Sequence, residues 1–487
     1  MSYIQEVSRF QLMMPTSIED YVSKDNPVRL IGAFVEKAVQ IQPELLTEKG
    51  NTKVGRSAYQ FATLLKLYIY GYLNSISSSR KLEKETYRNM EVIWLLGNLQ
   101  PDHKTISDFR KDNMEAIRKV SFSFRKFLVG EGFISGKQVV TDGTKVKAYA
   151  SRDTISMQGI TRRMEQLETQ LEKYLSQLQD NDTVESVEEQ LAELSTEFGV
   201  EPALLEKIAK LQGQVQELER QRQILEKSGL ESVAPADPEA KVMKSKDGYY
   251  PAYNVQSVVD TRNHMIAQMD VTDQPNDYYS LEPNIKALED QLCITPETVL
   301  ADGGYANEDQ IQSLENDGVH CVVPFQRQLP DKKQVEAGIT FTYDEKNDCY
   351  RCSQGKVLSL IATNVIKRNK PYNKYRSHEC NECPLREACT KSKLGRIVYK
   401  RLDNEWLLNY KENLKTEESK ALIRKRKEFV EHPFGTIKYW MGQIPLLLRG
   451  KRKVQVEIDL YATCYNFRRL INLEPMDFLL LKIQNWG

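Results

Sequence analysis

The sequence predicts a mixed α/β protein, and three observations predict it. Short β-branched runs alternate with helical-period stretches through the middle of the chain. About 125 residues of helical pattern precede the first of these runs. Two stretches of foreign composition, one acidic and heptad-like and one rich in cysteine, interrupt the α/β pattern. At 487 residues the chain is too long for one simple core, and two to four domains are expected.

Composition narrows the class. With 40% hydrophobic and 28% charged residues and a mean hydropathy of −0.54, the chain reads as globular and soluble. It has no run of 18 apolar residues, so no membrane span is expected. Glu6 and the lack of an apolar h-region argue against a signal peptide. A cytoplasmic location follows, with the 8 cysteines reduced or metal-bound. The 68 basic and 68 acidic residues cancel, which argues weakly against a nucleic-acid binder. The balance is not local. Residues 421–470 hold 11 Lys+Arg against 4 Asp+Glu, whereas 157–232 hold 8 against 16. A polyanion would meet the basic part.

In chain order, residues 28–39 have apolar positions at helical spacing, with Asp25 or Asn26 as caps before Pro27. Residues 58–73 are apolar on nearly all faces and read as a buried helix. Ser77, Ser78 and Ser79 precede a charged helix containing Arg80, Lys81, Glu83 and Lys84. Pro101 and Asp102 punctuate, and Thr105 or Ser107 could cap a helix running to Phe127. Such short basic helices fit a helix-turn-helix-like DNA reader or an ordinary helical domain. His103 reads as a capping or packing residue.

Residues 137–151 (KQVVTDGTKVKAYAS) read as the end of a buried strand, with Asp142 behind Val139 and Val140. Gly143 would let the backbone turn, and Lys145 and Lys147 bring positive charge. Residues 298–305 (TVLADGGY) repeat the pattern with Asp302. Each Asp alone reads as a turn residue bonded to its own backbone. Together they suggest a shared site for a hard divalent cation, which needs convergent carboxylate oxygens. Between them, 253–259 and 264–271 read as strands joined by a turn at 260–263. Residues 277–291 and 308–316 read as helices, and 320–324 as a strand.

Two interruptions stand apart. Met164, Leu167, Leu171, Tyr174 and Leu178 follow a 3-4-3-4 spacing, repeated from Val184 to Leu194 and from Leu204 to Leu218. Breaks at 180–182 and 199–202 make an antiparallel coiled-coil hairpin, either a partner-binding arm or a passive insertion. In the second interruption, five of the eight thiols fall between Cys349 and Cys389. Cys352, Cys380, Cys383 and Cys389 supply four thiolates for a tetrahedral structural zinc. Cys349 is a spare, or it replaces Cys352. The basic excess at 367–401, 11 Lys+Arg against 3 Asp+Glu, would also suit phosphates.

The last segment, 414–440, is helical and basic, with Arg424, Lys425, Arg426 and Lys427 ahead of Glu431 and Lys438. Glu431 is either a surface ion-pair residue or the third metal ligand in a phosphate groove. Pro433 either kinks this helix or starts a new one. Residues 454–470 read as an amphipathic helix that closes the core.

These motifs carry a resemblance. The chain resembles bacterial DDE transposases of the insertion-sequence-four-like superfamily, most of all the family numbered eleven eighty-two. The resemblance lies in GRSAYQFATLLKLYIYGYLNSISSSRKLEKE and PDHKTISDFR near the N-terminus, VVTDGTKVKAYAS, YNVQSVVD, LADGGYANE, CNECPLREAC and VEHPFGTIK. It implies a ribonuclease-H-like core with Asp142, Asp302 and Glu431 as the acidic triad. In the family's Tyr-Arg-Glu-Lys signature, Lys438 matches the Lys; Lys427 stands in the Arg place and Arg424 in the Tyr place.

The resulting expectation has four parts. Residues 1–125 form a helical DNA-binding domain; 134–156, 233–340 and 403–475 form the catalytic core; 157–232 form the hairpin; and 341–402 form the zinc module. Two Mg²⁺ ions, or Mn²⁺ in their place, would serve phosphoryl transfer at element ends. Arg424, Arg426, Lys427 and Lys438 would hold DNA. The partners are double-stranded DNA, at terminal inverted repeats and target, and a second copy in a homodimer on DNA. The alternatives are a metal-dependent nuclease without strand transfer and a non-catalytic DNA-binding protein descended from a transposase.

Overall fold

The computed structural model describes residues 17–46, 58–150, 154–179, 202–228, 232–245, 248–325, 332–367, 370–441 and 446–487. The chain divides into two compact units. One comprises Met1–Ala301, Asp309–Cys321 and Lys425–Gly487; the other comprises Asp302–Glu308 and Val322–Arg424.

The first unit begins with helices. α1 (Pro27–Ile41) starts where the Asn26 side chain accepts from Val28 N–H, and Pro27 supplies a preset φ at the first position. α2 (Phe61–Leu73) is buried on most faces, as its composition predicts. α3 (Ser79–Arg88) follows Ser78, whose side chain makes no capping bond, and α4 (Met90–Leu96) ends at Gly97 in the left-handed region. The helix expected to run from Thr105 or Ser107 to Phe127 is instead two. Asp102 caps α5 (His103–Asp112) by accepting from Thr105 N–H, and Asn113 separates it from α6 (Met114–Gly130). Asp outcompetes Thr as a cap because its carboxylate also meets the positive end of the helix dipole. His103 is tied to Glu83 at 3.1 Å.

A six-stranded mixed sheet forms the centre of this unit. β1 (Gln138–Lys147) lies inside it. β2 (Ile155–Ser156) leads into α7 (Met157–Gln179), and α8 (Pro202–Ser228) returns to β3 (Ser232–Val233), which pairs with β2. Ile160 and Met164, early in α7, pack with Leu218 and Leu225, late in α8, so the two helices run antiparallel. The breaks at 180–182 and 199–201 and the seam from Val184 to Leu194 lie outside the described residues. β4 (Lys241–Ser245), β5 (Gly248–Asp260) and β6 (Ile266–Thr272) then follow, with β5 antiparallel to β1, β4 and β6. α9 (Leu281–Leu292) precedes β7 (Thr298–Leu300), which pairs parallel with β1, and α10 (Glu308–Asn316) precedes β8 (His320–Val322). The strand order is β4-β5-β1-β7-β8, with β6 also on β5.

The second unit holds a five-stranded sheet and short helices. α11 (Lys332–Glu336) precedes β9 (Phe341–Asp344), β10 (Cys349–Cys352), β11 (Val357–Lys367) and β12 (Lys370–Arg376). α12 (Arg386–Cys389), β13 (Ile397–Arg401) and α13 (Glu405–Asn413) follow. The sheet order is β13-β12-β11-β10-β9, with every neighbouring pair antiparallel.

α14 (Glu417–Gly435) contains Pro433 within its last turn, so Pro433 does not start a new helix. A π-turn (Thr436–Trp440) continues it. α15 (Lys451–Leu473) is not amphipathic: it is buried almost all round from Val454 to Phe467, and α16 (Met476–Gln484) closes the chain. Its polar positions point inward because each finds a partner. Gln455 accepts from Val271 N–H at 2.7 Å and donates to Met269 C=O at 2.8 Å. Asn466 accepts from Ile266 N–H and donates to Ile266 C=O, both at 2.8 Å. Both amides thus satisfy backbone groups of β6, whose exposure without partners would cost stability. Phe467 stacks on Phe124 with centroids 4.4 Å apart and meets Phe34 edge-on, joining α15 to α1 and α6.

Candidate functional site

Asp142 stands in the middle of β1, not at its end, and Gly143 does not turn the chain: the strand continues to Lys147. The antiparallel ladder to β5 runs unbroken across it, pairing Asp142 with Ser257 and Gly143 with Gln256. A long partner strand thus overrides the turn signal of Asp-Gly. Alternation puts Asp142 and Thr144 on one face and Thr141 and Gly143 on the other. On the Asp142 face, Arg426 Nη1 of α14 lies 3.9 Å from Asp142 Oδ1, with the two side chains 14% and 23% exposed. Lys438 of the π-turn donates to Thr144 Oγ1 at 2.7 Å. Met441 N–H bonds to Thr436 C=O, the five-residue reach of a π-turn, and this wider turn carries Lys438. Two cations on one helical segment therefore reach the same face of β1, Arg426 at Asp142 and Lys438 two residues on at Thr144.

A second layer holds α14 in place. His432 Nδ1 is 2.9 Å from Tyr465 Oη, and Tyr465 donates to His264 C=O at 2.7 Å. The His264 and His432 rings stack at 5.2 Å. Burial and the Arg469 charge push both imidazoles below their ordinary pKa, so both favour the neutral form. His264 sits at φ 55°, in the β5–β6 turn. Sequence reading missed this pair because two lone histidines 168 positions apart give no local pattern.

The remaining basic candidates spread out. Arg424 lies 3.9 Å from Glu417 with both side chains exposed, and Lys427, Lys438, Glu428 and Glu431 are exposed on the same segment. Asp302 follows β7 after Ala301 and caps a 3₁₀ turn (Gly303–Tyr305), accepting from Gly304 N–H at 2.7 Å. Asp142 and Asp302 each stand two residues past a partner in the Val140–Leu300 pair. Among the described residues, no three His, Cys, Asp or Glu side chains are grouped to hold a metal ion. Of the expected triad, Asp142 and Glu431 belong to the first unit and Asp302 to the second. In kind, its carboxylates remain the donors a hard divalent cation takes.

Within the second unit, Glu308 pairs with Arg401 and Lys370. Burial pushes its carboxyl up, but Arg401 and Lys370 outweigh this and hold it below the usual range. Cys352, Cys380, Cys383 and Cys389 line one cavity of about 30 Å³, with Lys356 and Arg396 beside them. Cys349 is buried and does not line it. The three-residue step along β10 turns Cys349 and Cys352 to opposite faces. Gly395, at φ +85°, passes so close that a Cβ would meet Ser377 O at 2.6 Å and the Cys380 Cβ at 3.1 Å. The thiols line one small cavity beside two cations; in type and number they are the donors a tetrahedral zinc takes, but they are not gathered into a metal-holding group.

Fold and site together define an α/β protein with a strand carboxylate under a basic helix and a separate cysteine module. Comparison with known families then supports a transposase. Residues 351–471 match the family described as Transposase DDE domain, and residues 16–112 match Transposase domain (DUF772). The first match takes in the four cavity cysteines, the basic run, Glu431 and Lys438; Asp142 and Asp302 lie outside both. No curated protein matches the chain. Among solved structures, a piggyBac transposase synaptic complex with hairpin DNA is similar at 7% identity and a TM-score of 0.33, covering 94% of this chain and 79% of that one. A likeness at that score says nothing about the chemistry of this chain. Among the described residues, no helix is long and apolar enough to cross a membrane.

Proposed function

We propose that this chain is a DDE transposase of the insertion-sequence-four-like superfamily, on a ribonuclease-H-like core, that cuts DNA at element ends and joins the 3′-hydroxyl to a target. The observation that carries the reading is Asp142 in mid-sheet with Arg426 and Lys438 on its face. A carboxylate beside one cation, with a second cation two residues on along the same strand face, suits a site that meets a phosphodiester and a divalent metal together. The DDE-domain match over residues 351–471 supports the same class.

Asp142, Asp302 and Glu431 would hold two Mg²⁺ ions, or Mn²⁺. When bound, such ions activate the attacking oxygen and stabilise the leaving one. The chain's own residues do the rest. Arg426 and Lys438 neutralise phosphate and fix the strand over β1, and Arg424 and Lys427 extend the basic track along α14. The helices before residue 125 would read the terminal repeats, with double-stranded DNA and a second copy as partners in the cytoplasm. Cys352, Cys380, Cys383 and Cys389 would hold a structural zinc that fastens the module.

The test is cleavage of an element-end duplex in Mg²⁺ by the wild type and by Asp142→Asn, Asp302→Asn and Glu431→Gln, with gel shifts in EDTA. Each variant should lose cleavage by several orders of magnitude, roughly as the whole triad does, while still binding DNA. If Glu431→Gln cleaves normally, Glu428 is the next ligand candidate. Cleavage without joining would instead identify a nuclease.

A further inference from the structure

We infer that Asp277 is a positioning residue for Asp142, acting through the opposite face of β1. This rests on the reading of Asp142 as a metal ligand. Gly143 follows Asp142, and the place its Cβ would take is already filled. Asp277 Oδ1 lies 2.4 Å from that point, Gln256 Nε2 2.5 Å and Asn254 Oδ1 3.0 Å. Asp277 Oδ1 accepts from Asn254 Nδ2 at 2.7 Å and from Gln256 Nε2 at 2.6 Å. Gln256 Oε1 accepts from Asn284 Nδ2 at 3.1 Å, and the same amide donates to Thr141 Oγ1 at 2.8 Å.

The chain Asp277–Gln256–Asn284–Thr141 therefore grips β1 on both sides of Asp142, one residue before it and one after. Asn254, Gln256, Asn284 and Thr141 are all buried, and Gln256 and Asn284 also line a cavity of about 390 Å³. Asp277 is the one charged member, and it comes from the segment between β6 and α9 rather than from the sheet. A carboxylate accepting two amide donors fixes which way each amide points. That choice presents Gln256 Oε1 to Asn284, and it leaves room only for glycine at position 143. An alanine there would push into Asp277 and displace the backbone beneath Asp142. The network thus sets the height and tilt of β1 where Asp142 is offered to the metal.

The experiment measures Mn²⁺ affinity of the full chain by water-proton relaxation, without DNA and without turnover, alongside thermal melting. Asp277→Ala should weaken Mn²⁺ binding about tenfold, the scale on which supporting groups act. Asp277→Asn keeps an acceptor oxygen and should stay within about twofold of wild type on the same scale. Gly143→Ala should match Asp277→Ala, and it decides the question if Asp277→Ala does not fold. Lower melting with unchanged Mn²⁺ affinity in both Asp277→Ala and Gly143→Ala would overturn the inference and leave the metal reading intact. Unchanged Mn²⁺ binding in Asp142→Asn would overturn the metal reading and this inference with it.

Discussion

Replacing Arg426 by Gln should make the site bind divalent metal more tightly while it binds DNA less well. Arg426 Nη1 is buried, has no hydrogen-bond partner and lies 3.9 Å from Asp142 Oδ1. That distance is too long for a hydrogen bond, so the interaction is one of charge. At an effective dielectric of about 20 the attraction is about 4 kcal/mol, and at the value of water about 1. With 14% and 23% of the two side chains exposed, water reaches the pair and the lower part of the range applies, about 1.5 kcal/mol. A metal must overcome this attraction to take the same carboxylate. Its removal should tighten Mn²⁺ binding about tenfold. The loss of one phosphate contact should also flatten the salt dependence of DNA binding by about 0.9 in log–log slope. Relaxation titration with Mn²⁺ and gel shifts at three salt concentrations measure both effects. Metal affinity that falls or stays level in Arg426→Gln, while Asp142→Asn abolishes it, would refute the competition.

Three further outcomes follow from the geometry. Asn466→Leu strips Ile266 N–H and C=O of their partners and should cost about 2–4 kcal/mol in urea unfolding; a loss below about 0.5 kcal/mol would mean that water fills the gap. Burial pushes the Asp459 carboxyl from 3.8 up to about 6, against Arg125 and Arg118. Its contribution to stability is present in full below the unfolded value and is lost as pH rises through the folded one. Asp459→Asn should therefore gain about 2 kcal/mol on wild type between pH 4 and pH 7, and a pH-independent difference in urea midpoints would contradict it. Purified protein should contain about one zinc per chain, and Gly395→Ala should release it to a chelator at lower concentrations than wild type; metal-free protein with all thiols titratable in the folded state would exclude the site.

Much of this architecture was legible in local pattern. The helical N-terminal region, the β5 and β6 strands and the strand before Asp302 show in β-branched runs, helical periodicity and punctuation by Pro, Gly and Asn. The C-x2-C-x5-C spacing was legible too, and so was the basic run ahead of Glu431. The failures have a common physical source. Asp-Gly at 142–143 looks like a turn because β5, more than 100 residues downstream, is what keeps β1 extended. Glu457, Asp459 and Asn466 gave residues 454–470 a polar face, but Arg110, Arg118 and the edge of β6 bury that face. Asn254 and Gln256 lie in YNVQSVVD, but nothing in that stretch points to Asp277 or Asn284. Their meaning is a set of mutual hydrogen bonds between segments far apart in sequence, which no window of local pattern contains.

The pairing of α15 with β6 is a match of two rulers. Gln455 and Asn466 are 11 residues apart, which at about 1.5 Å per helical residue is about 16 Å. Val271 and Ile266 are 5 apart, which at about 3.3 Å per strand residue is the same length. Three helical turns also return both amides to one side of the helix. The helix thereby serves as a counterfeit strand, offering donors and acceptors at the spacing a real neighbour would have. A sheet margin closed in this way cannot recruit a foreign strand, the usual route from an open edge to aggregation. Deleting two residues between Gln455 and Asn466 would swing the second amide to the far side of the helix. The margin would reopen, and the damage should show as self-association rather than as a simple loss of stability.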